Sequence, residues 1–200
     1  MSTKTQNAHP RYPQLHEQNC PQSIKTVVAT GIGAALFIII GTLVNIPTPI
    51  PNTNIQLQYA VIALFAIIYG PTVGFFSAFI GHALKDALQY GSPWWTWALV
   101  SGLIGLAIGL LSKRINIEKN PLTAKDYVLF NVVQILANVV GWGIIAPYGD
   151  ILIYSEPANK VFAQGFLSAF INSLTIAIGG SLLLAVYSRT RTQSGSLTKD

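Results

Sequence analysis

Apolar stretches run at about 24–43, 57–70, 73–90, 94–111, 127–146 and 162–187, and most approach the roughly 20 residues that a helix needs to cross a hydrocarbon core. Between them lie short polar connections that hold nearly all the charge. Only 10% of the residues are charged while 51% are hydrophobic, and the mean hydropathy is +0.48. Soluble domains carry about a quarter charged residues. The pattern predicts an all-α integral membrane protein, multi-pass in the cell membrane, with six transmembrane helices in one bundle over 24–188. The second stretch is short, so it needs Gln56 to Tyr59, a thin bilayer or shelter among its neighbours.

Basic residues orient the bundle. Lys4, Arg11 and Lys25 precede the first span, Lys113, Arg114, Lys119 and Lys125 separate the fourth from the fifth, and Arg189, Arg191 and Lys199 follow the sixth. All fall on one side of a six-span path, which the positive-inside rule assigns to the cytoplasm together with both termini. The opposite side, with loops 45–56, 91–93 and 147–161, holds Lys160, Asp150 and Glu156. The net charge of +5 is thus a topology signal, not a nucleic-acid footprint.

Residues 1–23 are polar and lack the apolar core of a signal peptide, so they read as a cytoplasmic tail, as do 189–200. The single cysteine, Cys20, excludes an intrachain disulfide, and His9, His16 and Cys20 without further ligands do not make a metal site. No P-loop, zinc-protease motif or nucleophile elbow occurs. ATP-driven work would then fall to a partner, and this chain carries no cofactor of its own.

One group breaks the apolar pattern. His82, Lys85 and Asp86 sit inside the third span, where an ionisable side chain costs about 2.5–3.5 kcal/mol on insertion scales and faces a cavity or a partner. His82 and Asp86 share one helix face, with Lys85 three residues from His82. The competing reading has Lys85 reaching to the nearby surface, but Asp86 is too short for that. Trp94, Trp95 and Trp97 follow directly.

Four other patterns surround this group. Pro47, Pro49 and Pro51 in the first outer loop predict an extended, polyproline-like lid that turns Asn52, Asn54, Gln56 and Gln58 to one side. Asn131, Gln134, Asn138 and Trp142 recur along one face of span five, and Gln164, Ser168 and Asn172 along one face of span six. Such amides serve either as interhelical glue, worth about 0.6 kcal/mol each, or as ligand contacts, and the outer members are the better site candidates. Ala29/Gly33 and Gly31/Ala35 in span one form small-residue pairs that admit close helix approach, either within the bundle or to another subunit.

Neutral amides, aromatic faces and one compact His-Lys-Asp group suit a small, largely neutral aromatic heterocycle. Tyr59, Trp94 and Trp95 would stack, Asn54, Gln56 and Asn138 would hydrogen-bond, and His82, Lys85 and Asp86 would orient the ligand or brace the site, with Trp142 and Gln164 also at the outer end. Two rival classes remain: a proton-coupled carrier relaying through His82 and Asp86, and an intramembrane enzyme, for which no nucleophile and base are recognisable.

Ser23–Ala29, the Asn45–Gln56 loop, Tyr69–Phe75, the Gly81-His82-Ala83-Leu84-Lys85-Asp86 block and Gly91–Trp95 together resemble the S components of energy-coupling factor (ECF) transporters, in the hydroxymethylpyrimidine-transporter-like group related to riboflavin S components. The resemblance covers about 23–188. It implies a six-helix subunit that captures a vitamin or precursor and docks on an ECF transmembrane scaffold subunit bound to two ABC-type ATPase subunits, which use the ATP. It also implies that the subunit tips over in the membrane lipid during transport. The family's small-residue docking motif maps onto Ala29 and Gly33, with Gly33 in place of the usual alanine. Hydroxymethylpyrimidine is the first expected substrate, with pyridoxine or riboflavin next.

Overall fold

The computed structural model describes residues 20–191, with side chains from Ile24 onward. The tail with His9 and His16, and residues 192–200, lie outside the described residues. Helix α1 (Cys20–Leu43) leads into a hairpin of β1 (Asn45–Pro47) and β2 (Asn54–Gln56), then α2 (Gln58–Tyr69), α3 (Pro71–Tyr90), α4 (Trp95–Gly109) and the short α5 (Ser112–Ile115). Helix α6 (Ala124–Val140) continues through a π-helical turn (Gly141–Ile145) into α7 (Ala146–Tyr154). In the same way α8 (Ala158–Thr175) runs through a second π turn (Ile176–Gly180) into α9 (Ser181–Thr190).

Among the described residues, four helices are long and apolar enough to cross a membrane: Ile24–Leu43, Trp95–Ile115, Ala124–Tyr154 and Ala158–Thr190. The 12-residue α2 is apolar but shorter, and α3 carries His82, Lys85 and Asp86. Val27, Phe170, Ile178 and Leu182 stand exposed on their helices. In water such an apolar surface would aggregate; in a bilayer it meets lipid, while the helices satisfy their own backbone groups.

Helix α3 packs against α1, α2 and α4. At the α3–α4 crossing Gly74 and Gly105 face each other so closely that a Cβ on either would overlap the other's carbonyl. The obstacle is backbone, which cannot rotate away as a flexible side chain can. Gly105→Val is therefore expected to force α3 and α4 apart. Overpacking of this kind costs about 1–3 kcal/mol, and the loss would be read as a lowered unfolding temperature in detergent. An unchanged melting curve would show that the crossing tolerates separation.

The core runs through Phe37, Tyr59, Ala66, Ile104, Phe130, Trp142 and Ile176. A ladder of amides crosses it. Asn131 Nδ2 donates to Ser181 Oγ at 3.1 Å, and Gln134 Nε2 to the Ser173 carbonyl at 3.1 Å. Asn138 Nδ2 donates to the Gln134 carbonyl at 2.8 Å, and Trp142 Nε1 to Asn138 Oδ1 at 3.0 Å. The span-five stripe is thus interhelical glue between α6 and the α8–α9 rod, ending on Trp142.

The first loop departs from the extended lid expected of its prolines. It folds back as an antiparallel hairpin pairing Asn45 with Gln56, Ile46 with Ile55 and Pro47 with Asn54. Thr48 Oγ1 donates to the Thr53 carbonyl at 2.6 Å, and Asn52 takes a positive φ of 56°, which asparagine tolerates better than most residues. A left-handed residue reverses the chain, while Asn54 and Gln56 keep the period-two register along β2. The segment 147–161, expected as an outer loop, is largely helical as well, being nearly all of α7 and the start of α8.

On α1 the two small-residue pairs part company. Ala29 and Gly33 are buried, with Gly33 against Ser77 and Phe65. Gly31 and Ala35 are exposed, and a Cβ at Gly31 would meet nothing within 4 Å.

Candidate functional site

The hairpin, the end of α3, the start of α4, the π turn at Trp142, α7 and α8 converge on a cavity of about 150 Å³. It lies at the end of the bundle away from Lys25, which is near the start of α1 and pairs with Glu118 at 3.6 Å.

Helix α3 supplies one wall. His82 and Asp86, one turn apart, meet through Nε2 and Oδ2 at 3.4 Å. Lys85 Nζ lies 3.7 Å from Asp86 Oδ1 and donates to Gln89 Oε1 at 3.2 Å. Asp86 also accepts the backbone N–H of Trp94 at 3.4 Å, tying the α3–α4 connection to the charged group. Lys85 is only 3% exposed, so its charge is answered inside the protein and does not reach the surface. Behind this wall His82 Nδ1, Ser101 Oγ and Tyr59 OH form a closed hydrogen-bonded cluster, with Tyr59 OH 2.9 Å from Ser101 Oγ. Every polar atom there has a partner, as burial demands.

Aromatic rings form the second wall. Trp142 stacks on Trp97 with centroids 5.3 Å apart and meets Tyr59 edge-on at 5.9 Å. The π turn flanks Trp142 with Gly141 and Gly143, and such turns recur at functional sites because they re-aim side chains that a regular helix would carry elsewhere. Gly165 of α8 lets that backbone approach, since a Cβ there would collide with the Trp142 carbonyl.

The third wall is polar. Asn54 and Gln56, alternate residues of β2, both reach the cavity, joined by Asn52 from the turn. Gln164, Ser168 and Asn172 line it along one face of α8, and Gln164 Nε2 donates to the Pro51 carbonyl at 2.8 Å, anchoring the hairpin to the bundle. Asp150 of α7 is 2% exposed. It accepts hydrogen bonds from Trp97 Nε1 at 2.7 Å and from Thr96 Oγ1. Glu156 and Lys160 pair at 2.7 Å beside it on the cavity wall.

The cavity therefore brings together Asn54, Gln56, Tyr59, His82, Lys85, Asp86, Trp94, Trp142 and Gln164, all read from the sequence as site residues. It leaves out two. Trp95 is 54% exposed and packs beside Phe79, because the helix that starts at Trp95 turns it about 100° from its neighbour. Asn138 is fully buried, but its amide is spent on Trp142 and Gln134. Trp97, Asp150, Glu156 and Lys160 line the cavity without having been singled out. Trp97 carried a usable signal, since it falls three residues after Trp94 and hence near the same face. Asp150 carried none, as its stretch reads as a loop.

A family model described as the S component of an ECF-type riboflavin transporter matches residues 21–189. The chain is 71% identical over 178 residues to a UPF0397 protein of Streptococcus agalactiae, spanning 89% of this chain and 98% of that one. It is 63% identical over 178 residues to the UPF0397 protein YdcD of Lactococcus lactis, with the same coverage of 89% and 98%. The S component for biotin from an ECF-type ABC transporter superposes with a TM-score of 0.60 at 16% identity, covering 86% of this chain and 95% of its own. That last likeness speaks for the fold. With the family model matching nearly the whole described chain, the molecule belongs to the ECF-type riboflavin transporter S components, substrate-binding subunits of transporters and not enzymes.

Proposed function

We propose that this subunit captures a water-soluble vitamin or vitamin precursor built on a single aromatic heterocycle, with hydroxymethylpyrimidine the first candidate and pyridoxine next, both ahead of riboflavin. The cavity carries this reading. Its volume is about 150 Å³, and an engineered cavity of about that size in another protein admits one benzene ring. One ring suits such a void better than the three fused rings of riboflavin. The Trp97–Trp142 stack offers a flat apolar wall, while Asn54, Gln56 and Gln164 offer donors and acceptors to ring nitrogens and hydroxyls.

In this reading six helical rods cross the membrane with both termini in the cytoplasm, so that the cavity opens outward. The placement of Lys25, Lys113, Arg114, Lys125 and Arg189 at helix ends away from the cavity supports that orientation. The subunit works with an ECF transmembrane scaffold and two ATPase subunits that consume the ATP. Gly31 and Ala35, open on α1, present the small-residue strip on which the scaffold helix would sit, while Ala29 and Gly33 are already used inside.

The test is ligand release followed by titration. The purified chain is denatured, any bound small molecule is identified by mass spectrometry, and that compound is titrated back against tryptophan fluorescence. Hydroxymethylpyrimidine is expected to bind stoichiometrically and change the emission of the tryptophans around the cavity. Stoichiometric riboflavin with no response to any single-ring compound would overturn the reading.

A further inference from the structure

The charges around the cavity do not balance. Three carboxylates, Asp86, Asp150 and Glu156, face two ammonium groups, Lys85 and Lys160. Asp86 is answered by Lys85 and His82, and Glu156 by Lys160. Among the described residues Asp150 makes no ion pair. Its hydrogen bonds come from neutral donors, the Thr96 hydroxyl and the Trp97 indole N–H, with the buried indole N–H of Trp94 close by as a third.

These donors hold the carboxylate in place without filling it. Two carboxylate oxygens offer about four acceptor sites, so with Trp94 counted one remains for something in the cavity. The indole that bonds Asp150 also belongs to the stacking wall, since Trp97 lies on Trp142. The carboxylate is thus fixed at the rim of the aromatic surface, where the edge of a stacked ring would come.

We propose that Asp150 is the specificity-determining residue of this site, receiving the N–H edge of an amino-substituted nitrogen heterocycle. This rests on the reading of the cavity as a single-ring vitamin site and narrows its substrate class. An amino N–H on a protonated nitrogen heterocycle forms a charge-assisted bond to a carboxylate, stronger than a neutral one. The ligand then supplies the positive charge that the protein withholds. An anionic ligand would meet an unanswered carboxylate at close range and be rejected.

The test compares Asp150→Asn with the wild-type subunit, purified in detergent, using two probes: hydroxymethylpyrimidine, which carries an exocyclic amino group, and its counterpart with that group replaced by hydrogen. Asparagine keeps an acceptor for Trp97 and can donate to Thr96, so the framework is preserved while one acceptor for the ligand is lost. Wild type is expected to prefer the amino compound by at least about tenfold, a typical worth for a hydrogen bond to a charged group. In Asp150→Asn that preference is expected to collapse. A merely structural role would weaken both probes alike and leave their ratio unchanged, which would overturn the assignment. Equal binding of the two probes by wild type would overturn it also. If wild type takes neither probe but co-purifies with another compound, the single-ring pyrimidine reading falls, and Asp150 is judged on that compound. An N–H-bearing cation that binds at least tenfold more weakly to Asp150→Asn keeps the assignment, whereas a ligand without such an edge, or one bound equally by both proteins, ends it. Thr96→Val, which removes one framework donor but no ligand acceptor, is expected to keep the wild-type preference; loss of the preference there would mean that the framework and not the acceptor sets selectivity.

Discussion

Asp86→Ala is expected to destabilise the subunit by about 3–5 kcal/mol, the typical consequence of removing one partner of a buried ion pair. Lys85 is buried, and in the variant its ammonium would keep only Gln89, with the Tyr90 ring 6.0 Å away. The same substitution removes the acceptor of the Trp94 backbone N–H and the partner of His82 Nε2. Three elements would loosen together: the α3 wall, the α3–α4 connection and, through His82, the cluster with Ser101 and Tyr59. Thermal unfolding in detergent measures the loss. A Lys85→Met/Asp86→Asn double variant separates charge from packing, because it removes the uncompensated ammonium while leaving an acceptor for Trp94. It is expected to recover much of the stability. If Asp86→Ala melts with wild type, Lys85 is adequately solvated without its carboxylate and the pair does not brace the site.

How far the sequence could carry this picture depended on how many solutions each pattern allowed. A charged trio in an apolar span has few, so His82, Lys85 and Asp86 were legible as a cavity wall before any coordinates. The i, i+4 spacing of Gln164, Ser168 and Asn172 likewise led straight to the polar face of α8. The same logic failed at Asn138. Periodicity placed it on the correct face, but a face is shared between glue and ligand, and only the amide ladder shows that Asn138 is committed to Trp142. Trp95 was lost to helix phase. Three tryptophans within four positions cannot all face inward, and where the helix starts decides which do. Asp150 was hidden for a different reason. A stretch interrupted by Pro147 and Gly149 reads as a loop, yet it continues the α6 rod through the π turn, with Pro147 tolerated at the beginning of α7. The prolines of the first loop misled in the opposite direction. They stiffen each residue, but one left-handed residue at Asn52 is enough to convert a rod into a hairpin.

Trp142→Ala is expected to abolish useful ligand binding. Trp142 is a fully buried ring in contact with Trp97, Tyr59 and His82, so it couples the stacking wall to the charged one. Stacking of one aromatic ligand ring on such a face is worth about 1–3 kcal/mol, or roughly 5- to 150-fold in affinity. Truncation also removes the hydrogen bond that terminates the α6 ladder and opens a void in the core. Large aromatic-to-alanine changes there cost about 3–5 kcal/mol of stability, so binding and folding must be read apart. Trp142→Phe does this. It retains a stacking face and most of the packing while losing the indole N–H to Asn138. The phenylalanine variant is expected to bind within about tenfold of wild type, the loss of one hydrogen bond being worth about 1 kcal/mol, while the alanine variant does not respond to ligand by fluorescence of the remaining tryptophans or by a ligand-induced rise in unfolding temperature. Wild-type affinity in a folded Trp142→Ala protein would mean that the ligand stacks elsewhere, on Trp94 or Tyr59. The π turn would then serve only to join α6 and α7. Because Trp97 stacks directly on Trp142 and also holds Asp150, the phenylalanine variant, which still supports Trp97, should keep the preference for an amino-bearing ring, which links the shape of the site to its charge through a single pair of indoles.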